Sequence, residues 1–137
     1  MRTLVITPTY LEAENIDEFL RRARESAPNA DILVVDDNSP DGTADIAEKT
    51  AAELGNIDVL RRPAKTGLGS AYRAGFAIGL EKGYGALVQV DADLSHDPAV
   101  LPSLLRELES GADLAIGSRY VPGGEIPHWP WFRRALS

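Results

Sequence analysis

Two aspartates one residue apart, in the run Asp91-Ala92-Asp93, are the sharpest chemical feature of the sequence. They follow the apolar run Ala86 to Val90, which predicts a buried strand. Carboxylates at such a strand end can face one hard cation and sugar or ribose hydroxyls, and Mg²⁺ or Mn²⁺ prefers oxygen ligands of this kind. The alternative role, capping the following helix, is already served by Asp97 before Pro98. The pattern therefore favours a divalent-metal site.

Two other segments could contact a ligand held there. Asp36 and Asp37 follow a second strand-like run, where an aspartate can accept hydrogen bonds from a nucleobase or ribose. The segment Asp37 to Gly42 is also rich in turn formers, so an Asx-turn is an equally good interpretation. Lys65 to Ser70 is a glycine-bearing loop that opens a helix, where backbone amides can bind an anion. Because this loop lacks the GxxxxGK[ST] spacing, a simple tight turn stays open as its role.

Three arginines in the last part of the sequence could offer forked donors to phosphate groups: Arg119, Arg133 and Arg134. For the last two, the solvated face of a helix is an equal alternative. The aromatic run Trp129 to Phe132 lies beside them, and it could contact a lipid chain or simply cover the core.

The amino-acid composition excludes several kinds of functional site. With 14 basic and 21 acidic residues the formal charge is −7, which repels nucleic acid, so a phosphate-bearing ligand must be held by local cations, backbone amides or a metal. The absence of cysteine excludes disulfides, catalytic thiols and cysteine-based zinc sites. His96 and His128 are weak candidates for a base or ligand. No apolar run is long enough to cross a bilayer, and the first residues do not resemble a signal peptide, so we expect a cytoplasmic location.

The scaffold that must position these residues is an alternation of strands and helices in one domain. Apolar runs predict strands at residues 3–7, 31–36, 57–60, 86–90 and 113–116. Helical spacing and stop signals predict helices from about 16 to 27, 44 to 54, 69 to 82 and 98 to 110. This order favours an α/β fold with a mainly parallel sheet and helices on both faces. Ligands of such sheets bind at the carboxyl ends of the strands, where the polar segments above fall.

Taken together and in order, these motifs resemble those of the inverting family 2 glycosyltransferases, and in particular of the polyprenyl- or dolichyl-phosphate mannose synthases. The matching residues cover nearly the whole chain: Pro8-Thr9-Tyr10 with Glu12 and Glu14-Asn15, Val34 to Thr43, Lys65 to Tyr72, Asp91 to His96, and Gly117 to Gly124. The resemblance implies the Rossmann-like GT-A fold. It also implies transfer of mannose from GDP-mannose to a polyprenyl or dolichyl phosphate, with Mg²⁺ or Mn²⁺ as the cofactor.

The resemblance also implies site residues at matching positions. Those expected near the nucleoside are Pro8, Tyr10, Glu12, Asp36, Asp37 and Lys65. Those expected near the diphosphate, the metal and the acceptor phosphate are Asp91, Ala92, Asp93, Ser95, Arg119 and Arg133. Because the attacking phosphate is already anionic, the implied displacement does not need a strong general base.

Two departures from the family pattern matter. Leu11 stands where the family usually has asparagine, and the sequence ends at Ser137, before the family's catalytic domain is complete. We therefore expect residues 1–137 to be an incomplete GT-A nucleotide-sugar-binding domain, in contact with a membrane surface at its periphery. A nucleotide-sugar or metal-binding module without turnover, and a lipid-phosphate glucosyltransferase, are the alternatives. A phosphoacceptor signalling domain is disfavoured because no acid follows the first strand.

Overall fold

The computed structural model describes residues 1–118. The chain divides into two units, Met1–Pro102 and Ser103–Ser137. The first unit alternates strands and helices: β1 (Thr3–Thr9), α1 (Ile16–Ser26), β2 (Asp31–Asp36), α2 (Thr43–Leu54), β3 (Ile57–Arg61), α3 (Leu68–Glu81) and β4 (Ala86–Gln89). A 3₁₀ turn at Pro98–Val100 leads into α4 (Leu101–Glu109). Within the described residues, no helix has the length and apolar character that spanning a membrane requires.

The strands form one parallel sheet in the order β3-β2-β1-β4. Thr9 at the end of β1 pairs with Asp36 at the end of β2, and Asp36 pairs with Arg61 at the end of β3. Beyond β4, the Val90 N–H donates to the Ile6 carbonyl at 3.2 Å. The residues that follow all these strands therefore emerge along the same edge of the sheet.

Both faces of the sheet are buried. On one face, strand residues and two helix residues make a single cluster: Leu4, Ile6, Leu33, Val35, Ala71 and Tyr72. The alternate residues Val5, Ile32 and Val34 point to the other face and are at most 2% exposed. Helices α1 and α2 pack against each other, and α2 also contacts β2 and β3. The helices therefore cover both faces, as the sequence predicts.

Two glycines let α3 approach the sheet. A Cβ atom at Gly75 would lie 2.4 Å from the Ile6 Cγ2, and one at Gly79 would lie 2.4 Å from the Leu87 Cδ2. Any larger side chain would have to displace the helix or the strand residue beneath it. The close approach fixes which residues of α3 meet the ends of the strands.

The structure confirms the first four predicted strands, the four predicted helices and the capping role of Asp97, whose carboxylate accepts the Ala99 N–H at 3.0 Å. The predicted fifth strand at residues 113–116 is wrong. These residues have no strand conformation, and Leu114 and Ile116 are each 75% exposed. A run this short forms a strand only where a neighbour completes its backbone hydrogen bonds, and the described residues supply no such neighbour.

Candidate functional site

The paired aspartates lie just beyond β4, as predicted. Each carboxylate has one oxygen held by an uncharged donor: the Tyr72 hydroxyl donates to the Asp91 Oδ1 at 2.5 Å, and the Ser95 amide and hydroxyl donate to the Asp93 Oδ1 at 2.9 and 2.5 Å. The second oxygen of each accepts no hydrogen bond from any described residue. Ala92 between them is buried. Two oriented carboxylates, each with an open oxygen, suit a hard divalent cation.

The protonation states of Asp93 and Tyr72 suit the binding of a cation. Burial alone would raise the pKa of Asp93, but hydrogen bonds from Ser95, with a smaller electrostatic contribution from His96, outweigh it and hold the pKa below its ordinary value. For Tyr72, burial and then the bond to Asp91 raise the pKa well above its ordinary value. At neutral pH the tyrosine is therefore a fixed hydrogen-bond donor and Asp93 a charged acceptor.

The loop from Asp91 to His96 closes on itself. The Asp91 backbone N–H donates to the His96 Nδ1 at 3.2 Å, which leaves the imidazole proton on Nε2 when the ring is neutral. Leu94 inside the loop has a left-handed backbone, with φ at 64°. His96 is thus tied into the loop that shapes the aspartate pair.

A second acidic site forms at the end of β2. Asp37 is buried, and its Oδ1 lies 2.9 Å from the Nε of Arg62, whose side chain is 13% exposed. This contact is an ion pair by distance, although the Oδ1 lacks a hydrogen bond of good geometry. Arg62 also donates to the hydroxyls of Thr66 and Ser70, so it joins Asp37 to the glycine-bearing loop.

The Asp36 carboxylate, in contrast, is engaged on both oxygens by neighbouring residues of the protein. Its side chain accepts hydrogen bonds from the Thr9 hydroxyl at 2.6 Å and from the Ser39 amide and hydroxyl at 3.0 and 2.7 Å, and the residue is 1% exposed. The Asx-turn that the sequence left open for residues 37–42 lies instead at Asp41, whose Oδ1 accepts the Thr43 N–H two residues on at 3.1 Å. Nucleoside contact by Asp36 remains a prediction.

The turn after β2 also holds the loop after β1. The backbone N–H groups of three consecutive residues, 11–13, donate to side chains of that turn. The acceptors are the Ser39 hydroxyl, the Thr43 hydroxyl and the Asp41 carboxylate, at 3.1, 3.0 and 3.1 Å. The Thr43 hydroxyl, more than these backbone donors, lowers the pKa of Asp41 below its ordinary value. The two loops therefore form one connected rim.

The predicted nucleoside residues fall on or near this rim. The Lys65 ammonium lies 4.3 Å from the centre of the Tyr10 ring, a cation–π contact that brings two of them together. Glu12 accepts a hydrogen bond from the Asn15 side chain at 3.1 Å, and Pro8 is buried within β1. Arg119 and Arg133, together with Arg134, His128 and the aromatic run 129–132, lie outside the described residues.

Two residues that contact the site acids, Tyr72 and Arg62, were not among the predicted site residues. A signal for Tyr72 existed, since it lies three residues before Gly75 and so must share the helix face that meets the sheet. Arg62 gave a weaker signal, as one cation among several after β3. No group of three or more His, Cys, Asp or Glu side chains in the described part of the chain could hold a metal alone.

Comparisons with known proteins bear on this arrangement. The family described as Glycosyl transferase family 2 matches residues 4–136. Polyprenol monophosphomannose synthase of Mycolicibacterium smegmatis is 53% identical over 99% of this chain and 52% of its own length. Undecaprenyl-phosphate mannosyltransferase of Micrococcus luteus is 53% identical over 100% of this chain and 56% of its own. The chain thus spans about half the length of these relatives.

Among solved structures, a mannosyltransferase from Pyrobaculum calidifontis, in complex with GDP-Man and Mn²⁺, superimposes with a TM-score of 0.59. It is 28% identical, and the match covers 67% of this chain and 27% of that one. This likeness confirms the GT-A fold class predicted from the motifs.

Proposed function

Because the chain belongs to glycosyl transferase family 2, we propose that it binds GDP-mannose and takes part in transferring mannose to a polyprenyl phosphate with inversion at the anomeric carbon. The named activities of the two bacterial relatives support the sugar and the lipid acceptor. A polyprenyl chain on the acceptor partitions into a bilayer, so transfer to it would take place at the periphery of a membrane. GDP-mannose and Mn²⁺ in the structural neighbour support the donor and the metal.

The observation that carries the proposal is the state of Asp91 and Asp93. Neither aspartate forms an ion pair with an arginine or lysine among residues 1–118, and each leaves one carboxylate oxygen open. An ionised carboxylate with an open oxygen is a ready ligand for a hard divalent cation. Their donor set of hard oxygens fits Mn²⁺ or Mg²⁺ shared with a diphosphate.

In this assignment the chain's own residues hold and orient the donor. Asp91 and Asp93 hold the cation, which when bound stabilises negative charge on the departing diphosphate. Tyr72 and Ser95 each donate a hydroxyl hydrogen bond to one of the two carboxylates. The acceptor phosphate oxygen attacks the anomeric carbon, GDP leaves with the bonding electrons, and the configuration at that carbon inverts.

Nucleoside binding falls to the rim between the first two strands and the glycine-bearing loop. Asp37, the acid held beside Arg62 at this rim, is the residue to which the resemblance assigns contact with the base or ribose. Tyr10 and Lys65 present an aromatic face and a cation at the same rim, where they suit the base and ribose of a nucleoside. These roles match those that the resemblance implies.

The test is calorimetric titration of the 137-residue chain with GDP-mannose, GDP-glucose and UDP-glucose, with and without Mn²⁺. We expect GDP-mannose to bind most tightly and to need Mn²⁺. Asp93→Ala should abolish the metal dependence. Asp58→Ala, which removes an exposed carboxylate on β3, should leave binding unchanged.

Other outcomes point elsewhere. Preference for a glucose donor would favour a lipid-phosphate glucosyltransferase. Tight binding without mannose transfer to a polyprenyl phosphate would favour a nucleotide-sugar-binding module. Binding that ignores both Mn²⁺ and Asp93→Ala would refute the metal site.

A further inference from the structure

Tyr72 makes a contact that the family resemblance did not assign. Its hydroxyl donates to the Asp91 Oδ1 at 2.5 Å, across a separation of 19 residues in sequence. The bond joins helix α3 to the loop after β4. It therefore links the packing of the core to one of the two open carboxylates.

The ring that carries this hydroxyl is tightly packed in the core. Tyr72 is 5% exposed and belongs to the cluster between α3 and the sheet. Its ring stacks on Phe76, with centroids 6.3 Å apart and planes at 24°. About one turn further along α3, Gly75 packs against Ile6 and allows the short distance between the helix and β1. This packing therefore fixes the position of the Tyr72 hydroxyl.

A fixed donor at that point restricts Asp91. An aspartate side chain on a loop samples several rotamers, and ordering it on ligand binding costs free energy. With Oδ1 engaged, the carboxylate has fewer accessible rotamers, and Oδ2 accepts no hydrogen bond from the described residues. Partners of this kind, which orient the residues that bind a metal, are commonly worth about 10- to 100-fold in metal affinity.

Resting on the function proposed above, we infer that Tyr72 is a positioning residue that orients Asp91 for a divalent cation shared with the nucleoside diphosphate. Tyr72 itself does not touch the substrate. Removing only its hydroxyl should weaken binding of the cation while leaving the helix and its packing in place.

The structure offers a matched control at the other end of the sheet. The Tyr84 hydroxyl donates to the Asp31 Oδ2, also at 2.5 Å, but Asp31 begins β2 and so lies at the edge away from the candidate site. Tyr72→Phe and Tyr84→Phe therefore delete the same kind of bond, one beside the site and one remote from it.

The experiment measures free Mn²⁺ by electron paramagnetic resonance while GDP and Mn²⁺ are titrated into each variant, and records the unfolding midpoint alongside. We expect Tyr72→Phe to raise the Mn²⁺ dissociation constant by about 10-fold or more and Tyr84→Phe to leave it unchanged. In an Asp91→Asn background, Tyr72→Phe should have little further effect.

Three results would overturn the inference. Equal Mn²⁺ affinity in wild type and Tyr72→Phe would show that the hydroxyl does not orient Asp91. Equal losses of Mn²⁺ affinity in Tyr72→Phe and Tyr84→Phe would show that the effect comes from a general loss of stability. A wild-type chain that binds no Mn²⁺ with GDP would refute the proposed function, and this inference with it, whereas the first two results leave that function standing.

Discussion

Gly75→Ala is the most direct test of how the core positions the candidate site. The new Cβ would lie 2.4 Å from the Ile6 Cγ2, far inside van der Waals contact. That methyl is bonded directly to the Cβ of a β-branched residue, which has little freedom at χ1, on a strand paired on both sides. Ile6 is 0% exposed, so neither the side chain nor the strand can give way easily.

The magnitude follows from two opposing effects. Overpacking of a filled core typically costs about 1 to 3 kcal/mol, and the rigid neighbour places this site near the upper end. Alanine gains about 1 kcal/mol over glycine in a helix interior. We therefore expect a net loss of about 2 kcal/mol. Gly79→Ala has the same Cβ distance, but to the tip of Leu87, which can rotate away, so its net effect should be near zero.

Chemical denaturation of both variants measures this contrast as changes in the free energy of unfolding. An Ile6→Leu background adds a stricter test, because leucine lacks the offending branch at Cβ and a swap of equal volume costs less than about 1.5 kcal/mol. There Gly75→Ala should become neutral or stabilising. Equal effects at Gly75 and Gly79, or an unchanged cost in the Ile6→Leu background, would refute the idea that this contact sets the height of α3.

Two further predictions concern the rim. Leu11→Asn should raise the free energy of unfolding by up to about 1 kcal/mol, because a left-handed backbone (φ 59°) costs leucine about 1 to 2 kcal/mol and asparagine tolerates it. Leu80→Asn, a change at an exposed site inside α3, should lower it instead. Arg62→Met should cost about 3 to 5 kcal/mol by leaving the buried Asp37 without its cation, and adding Asp37→Asn should recover part of that. Chemical denaturation measures each of these free energies of unfolding. If Arg62→Met were as stable as the wild type, the prediction for the Arg62–Asp37 pair would be contradicted.

Much of the fold was predictable because local signals agreed with the tertiary structure. The runs that became β1 and β2 are apolar and β-branched throughout, as strands buried on both faces must be. Pro28 and Gly55 mark where α1 and α2 stop. Residues 113–116 carry a similar apolar pattern, but strand formation needs a hydrogen-bonding neighbour, which a local pattern cannot reveal.

The site was predictable only in part, for the same reason. Asp91 and Asp93 could be placed because the strand before them fixes their edge of the sheet. The orientation of Asp91 depends on Tyr72, which reaches it only after α3 has packed against β1 through its glycines, whereas Asp93 is held by Ser95. The roles of Asp36 and Asp37 were likewise open, since a turn former and a ligand-binding acid have the same residue type.

The structure separates the acids at this edge by whether a carboxylate oxygen stays open. Both oxygens of Asp36 accept hydrogen bonds, from Thr9 and from Ser39 of its own turn, and Asp37 lies against Arg62. Asp91 and Asp93 each have only one oxygen engaged by the described part of the chain, the first by Tyr72 and the second by Ser95. An open carboxylate oxygen is the kind of ligand that a hard divalent cation prefers. The aspartates with an unused oxygen are therefore those that a metal-bound diphosphate would complete.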